Sequence, residues 1–210
     1  MKNILKDIHN SILLFDFDGT LLDSEKYHKL AHEQTFSNLL GRPLSLTNAE
    51  QIKLLLGKTD NEIYANFKKE YNLNFDEKQA IKDKTKLAYN MIKDLPIFDY
   101  FFELAKDKTN ELYIVSNQQK SLLIKMLKRK KILDDFSNVF CLSFMKIKKC
   151  YFYQNLNEFI DIKNREIFVF EDSEEVLKSL KKLNYTTVGI ETKITKNKLK
   201  HADYLISIEQ

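Results

Sequence analysis

SILLFDFDGTLLDSEKYH, residues 11–28, runs from an apolar stretch of strand length, Ser11 to Phe15, straight into two aspartates, Asp16 and Asp18. Side chains two apart in a strand share a face, so the two carboxylates point to one place while Phe17 turns toward a core. Alone, such a pair repels and resists desolvation, and one member takes up a proton unless a cation or a reaction uses both. Gly19 lets the chain turn sharply directly afterwards, and successive backbone amides at such a turn are placed to hold an anion.

Further segments of strand character recur along the chain: Glu111 to Val115, Val139 to Leu142, Ile167 to Phe170, Thr186 to Ile190 and Tyr204 to Ile206. Strands alternating with helical stretches predict an α/β fold, a Rossmann-like parallel sheet with helices on both faces. The alternation breaks between about Ser24 and Asp94. There Ile52, Leu55, Leu56, Ile63, Tyr64 and Phe67 follow helical spacing, Gly41-Arg42-Pro43 and Gly57 punctuate the pattern, and Pro96 closes it. The expected organisation is therefore an α/β core, 1–22 with 95–210, carrying an inserted helical cap domain, 23–94.

Sites in open α/β sheets form beyond the carboxyl ends of the strands. Asp16 and Asp18 end the first strand, the second ends in Val115-Ser116-Asn117, and the fourth in Phe170-Glu171-Asp172-Ser173. Three strands thus deliver acidic or hydroxyl groups to the same edge. A lone Asp-x-Asp after a strand is most often a helix cap, as is a lone serine. Three such endings in register outweigh that reading.

The remaining composition narrows the field. With 43% hydrophobic and 12% aromatic residues among 210, the chain can bury one good core, or one core and a small accessory domain. Thirty-four basic against thirty acidic residues leave a formal charge of +4, too small an excess to nominate nucleic acid or a membrane as partner. Cys141 and Cys150 have no metal or redox spacing, MKNILKDIHN has no signal-peptide apolar stretch, and no window reaches membrane-spanning length. A cytoplasmic protein, monomeric by default, is expected. The run Lys128-Arg129-Lys130-Lys131 reads as a solvated helix end, favoured by the helix dipole.

Asp16-Phe17-Asp18-Gly19-Thr20, then Ser116-Asn117, then Glu171-Asp172-Ser173, in this order and after strands, resembles the haloacid dehalogenase superfamily of phosphotransferases. Leu21 to His28 is similar to the subgroup containing β-phosphoglucomutase and many small-metabolite phosphatases, and the helical insert resembles the cap found between that family's first and second motifs. The resemblance implies a magnesium-dependent (Mg2+) phosphatase acting on a small phosphorylated metabolite. Asp16 would be the nucleophile, and Asp18 the acid and then the base. Asp16, the Asp18 carbonyl and Asp172 would hold the metal, with Glu171 as a further or water-mediated ligand. Ser116 and a lysine would meet phosphoryl charge, and Gly19, Thr20, Asn117 and His28 would contact substrate. The family's Gly-Lys-Pro-x-Pro pattern is absent: residues 145–152 read MKIKKCYF, in which Lys146 fits the order best, Lys148 follows, and Lys149 is expected to be solvated. After Ser173, Glu174-Glu175 stands where the family has proline and glycine. A β-phosphoglucomutase-like phosphomutase is compatible with the same residues. A non-catalytic binding or regulatory protein on this fold is the alternative of another class. A hydrolytic dehalogenase would have no use for Asp18 and the acidic pair.

Overall fold

The computed structural model describes residues 5, 8–55, 58–162 and 164–208, with Asn48 and Ile52 as backbone only. Leu56 and Gly57 of the helical pattern, and the Ile52 side chain, lie outside the described residues. In chain order the elements begin with β1 (Ile12–Phe15), α1 (Glu25–Leu40), α2 (Asn48–Leu54), α3 (Asp60–Glu70), α4 (Glu77–Ile92), α5 (Asp99–Ala105) and β2 (Glu111–Ser116). They continue with α6 (Lys120–Arg129), β3 (Asn138–Cys141), α7 (Leu142–Met145), α8 (Lys149–Gln154), β4 (Ile167–Glu171), α9 (Glu174–Leu180), β5 (Thr186–Glu191) and β6 (Tyr204–Ser207).

The strands form one sheet in the order β3-β2-β1-β4-β5-β6, and every adjacent pair is parallel. β1 is central, which explains its unbroken apolar sequence: a strand covered on both faces has no polar side to show. Its alternate residues feed two cores. Ile12 and Leu14 pack in a cluster with Val115, Val169 and, from α8, Phe152 and Tyr153. Phe15, on the opposite face, meets Phe101 of α5 edge-on at 5.7 Å and stacks on Phe170 of β4 at 4.5 Å. Phe17 is fully buried. The strands lie within a residue of the sequence expectation, except that Leu142 belongs to a short helix and not to β3.

The chain divides into two compact units, one made of the residues before Ser24 with those from Leu95 onward, the other of Ser24–Asp94. The second unit is helical, α1 to α4. α2 and α3 both start in reciprocal capping boxes, Thr47 with Glu50 and Thr59 with Glu62, and α1 stops at Gly41, whose φ of 66° is left-handed. Phe36 stacks on Phe67 at 3.8 Å to form the centre of its core.

That core also holds polar groups. Lys84, buried, reaches both oxygens of Asp60 at 3.0 and 3.2 Å, and buried His32 places Nε2 3.6 Å from the same carboxylate. Burial, with the Lys84 and His28 charges adding, pushes the His32 imidazole down to about 2, so it is neutral in the folded unit. An unfolded histidine binds its proton near pH 6.5. The unfolded state therefore gains the proton first, and stability is lost as pH falls below 6.5. Denaturant unfolding should show the wild type losing about 2 kcal/mol between pH 7 and pH 5 beyond any loss in His32→Leu. Parallel pH dependences in the two proteins would rule out a neutral buried His32.

Candidate active site

Because every strand runs the same way, β1, β2 and β4 end at one edge of the sheet, and the chain leaving each carries a polar residue there. Asp16 follows β1, and its amide donates to the Phe170 carbonyl at 3.0 Å, fixing it beside β4. Glu171 is the last residue of β4 and has no exposed surface; Asp172 comes next and is half-buried. Asp16, Glu171 and Asp172 each bring one oxygen within 4.8 Å of the others. Ser116 closes β2 and is buried. Its Oγ accepts the amide of Gln118 at 3.0 Å, which uses a lone pair and not the hydroxyl proton.

The lysine at this edge is Lys149. Its ammonium lies 2.8 Å from Asp16 Oδ1 and 2.8 Å from Glu171 Oε2, with its side chain only 10% exposed. This corrects the sequence expectation on two counts, since Lys146 and Lys148 are exposed and Lys149 is not solvated. The cause is local. α7 takes up the four residues after β3 and ends at Lys146, whose φ of 58° is left-handed and reverses the chain. The Ile147 amide returns to the Leu142 carbonyl at 3.3 Å, Lys148 becomes the residue before α8, and the first residue of α8 is the one aimed at the carboxylates.

Gly19 is required twice over. Its φ is 75°, and a Cβ there would fall 2.0 Å from Asp172 Oδ2. Its amide donates to the Leu22 carbonyl at 3.0 Å and the Leu21 amide to the Phe17 carbonyl at 2.9 Å, so these two amides close the turn and are not aimed at an anion. Thr20 is fully buried, with Oγ1 unpartnered among the described residues, and its carbonyl accepts the Tyr100 hydroxyl at 2.6 Å. Asn117 is exposed. His28 lies in the helical unit, half-buried in the first turn of α1, with its amide on the Ser24 carbonyl at 3.2 Å. Asp18 is half-buried and its Oδ2 accepts from Gln118 Nε2 at 3.1 Å. Gln118 and Tyr100 carry no sequence signal, because each reaches its partner across eighty or more residues.

The electrostatics follow from burial. Desolvation pushes the Asp16 carboxyl up to about 7, with Glu171 and Asp18 adding to it and Lys149 opposing it. Burial pulls Lys149 down, but Asp16 and Glu171 outweigh this and hold its ammonium well above the usual lysine range. Asp16 and Glu171 thus share one ammonium, and Asp172 brings a further carboxylate oxygen beside them. The all-oxygen set of Asp16, Glu171 and Asp172 fits a hard divalent cation of the magnesium type. Glu171 has both oxygens engaged, Oε2 by Lys149 and Oε1 by the Ser173 amide at 3.2 Å, and so suits holding the lysine better than direct ligation.

A family model described as haloacid dehalogenase-like hydrolase matches residues 13–190. No curated protein matches the chain. Among solved structures, YfnB of Bacillus subtilis, bound to magnesium, aligns with a TM-score of 0.70 and 20% identity over 95% of each chain. CbbY of Rhodobacter sphaeroides, in complex with xylulose-(1,5)bisphosphate, gives 0.73 and 18% over 93% of each. A Thermotoga maritima protein assigned as a β-phosphoglucomutase gives 0.68 and 17% over 94% of each.

Removing one partner from a buried ion cluster leaves an uncompensated charge. Lys149→Met should therefore cost roughly 3 kcal/mol of unfolding free energy in metal-free buffer, against less than about 0.5 kcal/mol for the exposed Lys146→Ala and Lys148→Ala. Equal stabilities for the three variants in denaturant melts would contradict the placement of Lys149.

Proposed function

The chain belongs to the haloacid dehalogenase-like hydrolases, and on that premise we propose that it hydrolyses phosphate monoesters of small metabolites, dependent on magnesium, through an aspartyl-phosphate on Asp16. The observation that carries this reading is the contact of Lys149 with Asp16, 2.8 Å apart inside a ring of carboxylates. A nucleophilic carboxylate beside a buried cation is what phosphoryl transfer needs, since the incoming group brings charge that must be met without water.

Asp16 attacks phosphorus, the bond from phosphorus to the ester oxygen breaks, and protonated Asp18 gives its proton to that oxygen. Asp18, now a carboxylate, takes a proton from water as the water attacks the aspartyl-phosphate, which returns Asp16 and releases phosphate. Throughout, Lys149 and the Ser116 hydroxyl face the phosphoryl oxygens. Asp16, the Asp18 carbonyl and Asp172 would hold the cation, which supplies charge neutralisation at the transferring group. The backbone amides of Gly19 and Leu21 contribute to loop closure and are not part of this anion site. We assign selection of the leaving group to side chains of the helical unit, for which His28 is the candidate that the sequence offers.

The test is a panel of phosphorylated metabolites assayed for inorganic phosphate with and without magnesium. Phosphorylated sugars come first, because the solved relative CbbY is bound to a sugar bisphosphate. Release of phosphate only with the metal is expected. An isomeric sugar phosphate in place of free phosphate would identify a mutase, and no turnover of any ester would favour the binding protein. Asp16→Asn keeps an oxygen but removes the nucleophile, so turnover should fall by about a thousandfold or more with the far-UV spectrum unchanged. Activity within tenfold of the parent would sink the assignment.

A further inference from the structure

Gln118 sits two residues past Ser116, between β2 and α6, and every polar group it owns is committed. Its amide donates to Ser116 Oγ at 3.0 Å and its carbonyl accepts from Ser143 Oγ at 3.1 Å. In the side chain, Oε1 accepts the Gln119 amide at 3.0 Å and Nε2 donates to Asp18 Oδ2 at 3.1 Å. The amide orientation is settled by these neighbours, since the Gln119 N–H can only donate and the Asp18 carboxylate accepts. The donor offered to Asp18 is therefore itself held at three other points, two of them on elements that carry the site.

We propose that Gln118 is the positioning residue for Asp18, holding its carboxyl in the orientation that serves the leaving oxygen. This rests on the phosphatase reading above. Asp18 lies beyond the end of β1, half-buried, with two side-chain torsions to fix. A carboxyl group that accepts N–H at Oδ2 keeps Oδ2 as its carbonyl-type oxygen when protonated, so the proton sits on Oδ1. The Nε2–H to Oδ2 bond is compatible with both halves of the cycle: it remains when Oδ1 gives its proton to the departing alkoxide, and when the carboxylate takes one from water. A neutral amide also orients Asp18 without adding a charge to the carboxylate cluster. Misplacement by an ångström is enough to weaken proton transfer, and a donor anchored through Ser116 and Ser143 ties Asp18 to the phosphoryl-binding serine.

Gln118→Met preserves length and removes the donor. Single-turnover release of the leaving group isolates the first step, where Asp18 acts as acid. An alkyl phosphate, whose leaving oxygen needs the proton, should slow by about tenfold or more. p-Nitrophenyl phosphate, whose leaving group departs without one, should slow by less than about threefold, with little change in KM for either. Equal losses with the two esters, or no loss with the alkyl ester, would overturn the proposal. A second readout needs no turnover: the Gln118 side-chain amide signals in the 15N spectrum should shift and lose exchange protection in Asp18→Ala. Unchanged signals would remove the contact and the proposal with it. Failure of the wild type to release either leaving group would count against the phosphatase reading, while the amide signals still decide whether Gln118 holds Asp18.

Discussion

The ammonium of Lys149, shared between Asp16 and Glu171, is the constraint on which the rest of the site depends. Glu171 has no exposed surface and lies in the interior of the sheet edge, where an unpaired carboxylate would cost several kcal/mol. Lys149 satisfies one of its oxygens and the loop amide of Ser173 the other. Nothing local favours a lysine here, since it opens α8, and a cation in the first turn of a helix opposes the helix dipole. The placement is a tertiary demand that overrides a local preference. One turn further on, Tyr153 is buried with a hydroxyl unpartnered among the described residues and its ring packed in the sheet core, so α8 is seated by apolar contact and its lysine is aimed by that seating.

The loop that carries the aspartates is pinned from the other face of the sheet. Phe15 stacks on Phe170, and Phe170 on Tyr100 at 5.9 Å, a column that links β1, β4 and α5. At its end the Tyr100 hydroxyl donates to the Thr20 carbonyl. Burial, with the charges of Asp172 and Asp16 adding to it, holds that hydroxyl well above the usual tyrosine range, so it stays a donor. Gly19 closes against Asp172 on the opposite side of the turn. Residues 16–20 are thus fixed by backbone bonds to β4, by a phenol beneath, and by a contact too close for any side chain at position 19. These are the restraints a catalytic geometry of sub-ångström tolerance needs.

Much of this was legible before any coordinates, for physical reasons that differ by element. β1 and β4 are buried on both faces, so their sequences are continuous apolar runs and their ends are marked by the first charged residue. The insert was harder to read, because α1 buries His32, Glu33 and Thr35, polar residues that blur its apolar face. The lysine was not legible at all. Lys146, Lys148 and Lys149 are chemically identical, and only the four-residue turn of α7 and the left-handed backbone at Lys146 decide which one faces inward. Four residues are too few for a periodic signal, and a left-handed lysine has none. Gln118 was hidden for another reason: its significance lies wholly in a partner a hundred residues away.

The two aspartates that end β1 can coexist because their surroundings differ. Asp16 is buried, paired with Lys149 and grouped with the oxygens of Glu171 and Asp172, an arrangement that supports its proposed role as nucleophile. Asp18, two residues on, is half-buried and accepts the neutral Gln118 amide at Oδ2. A fixed cation beside one carboxylate and a neutral amide donor beside the other give the two different surroundings without separating them in space. In the proposed mechanism Asp16 works as the nucleophile and Asp18 as the proton carrier, a division that these different surroundings support. In that proposal the cost of ending a core strand in two carboxylates is met by giving the pair two roles.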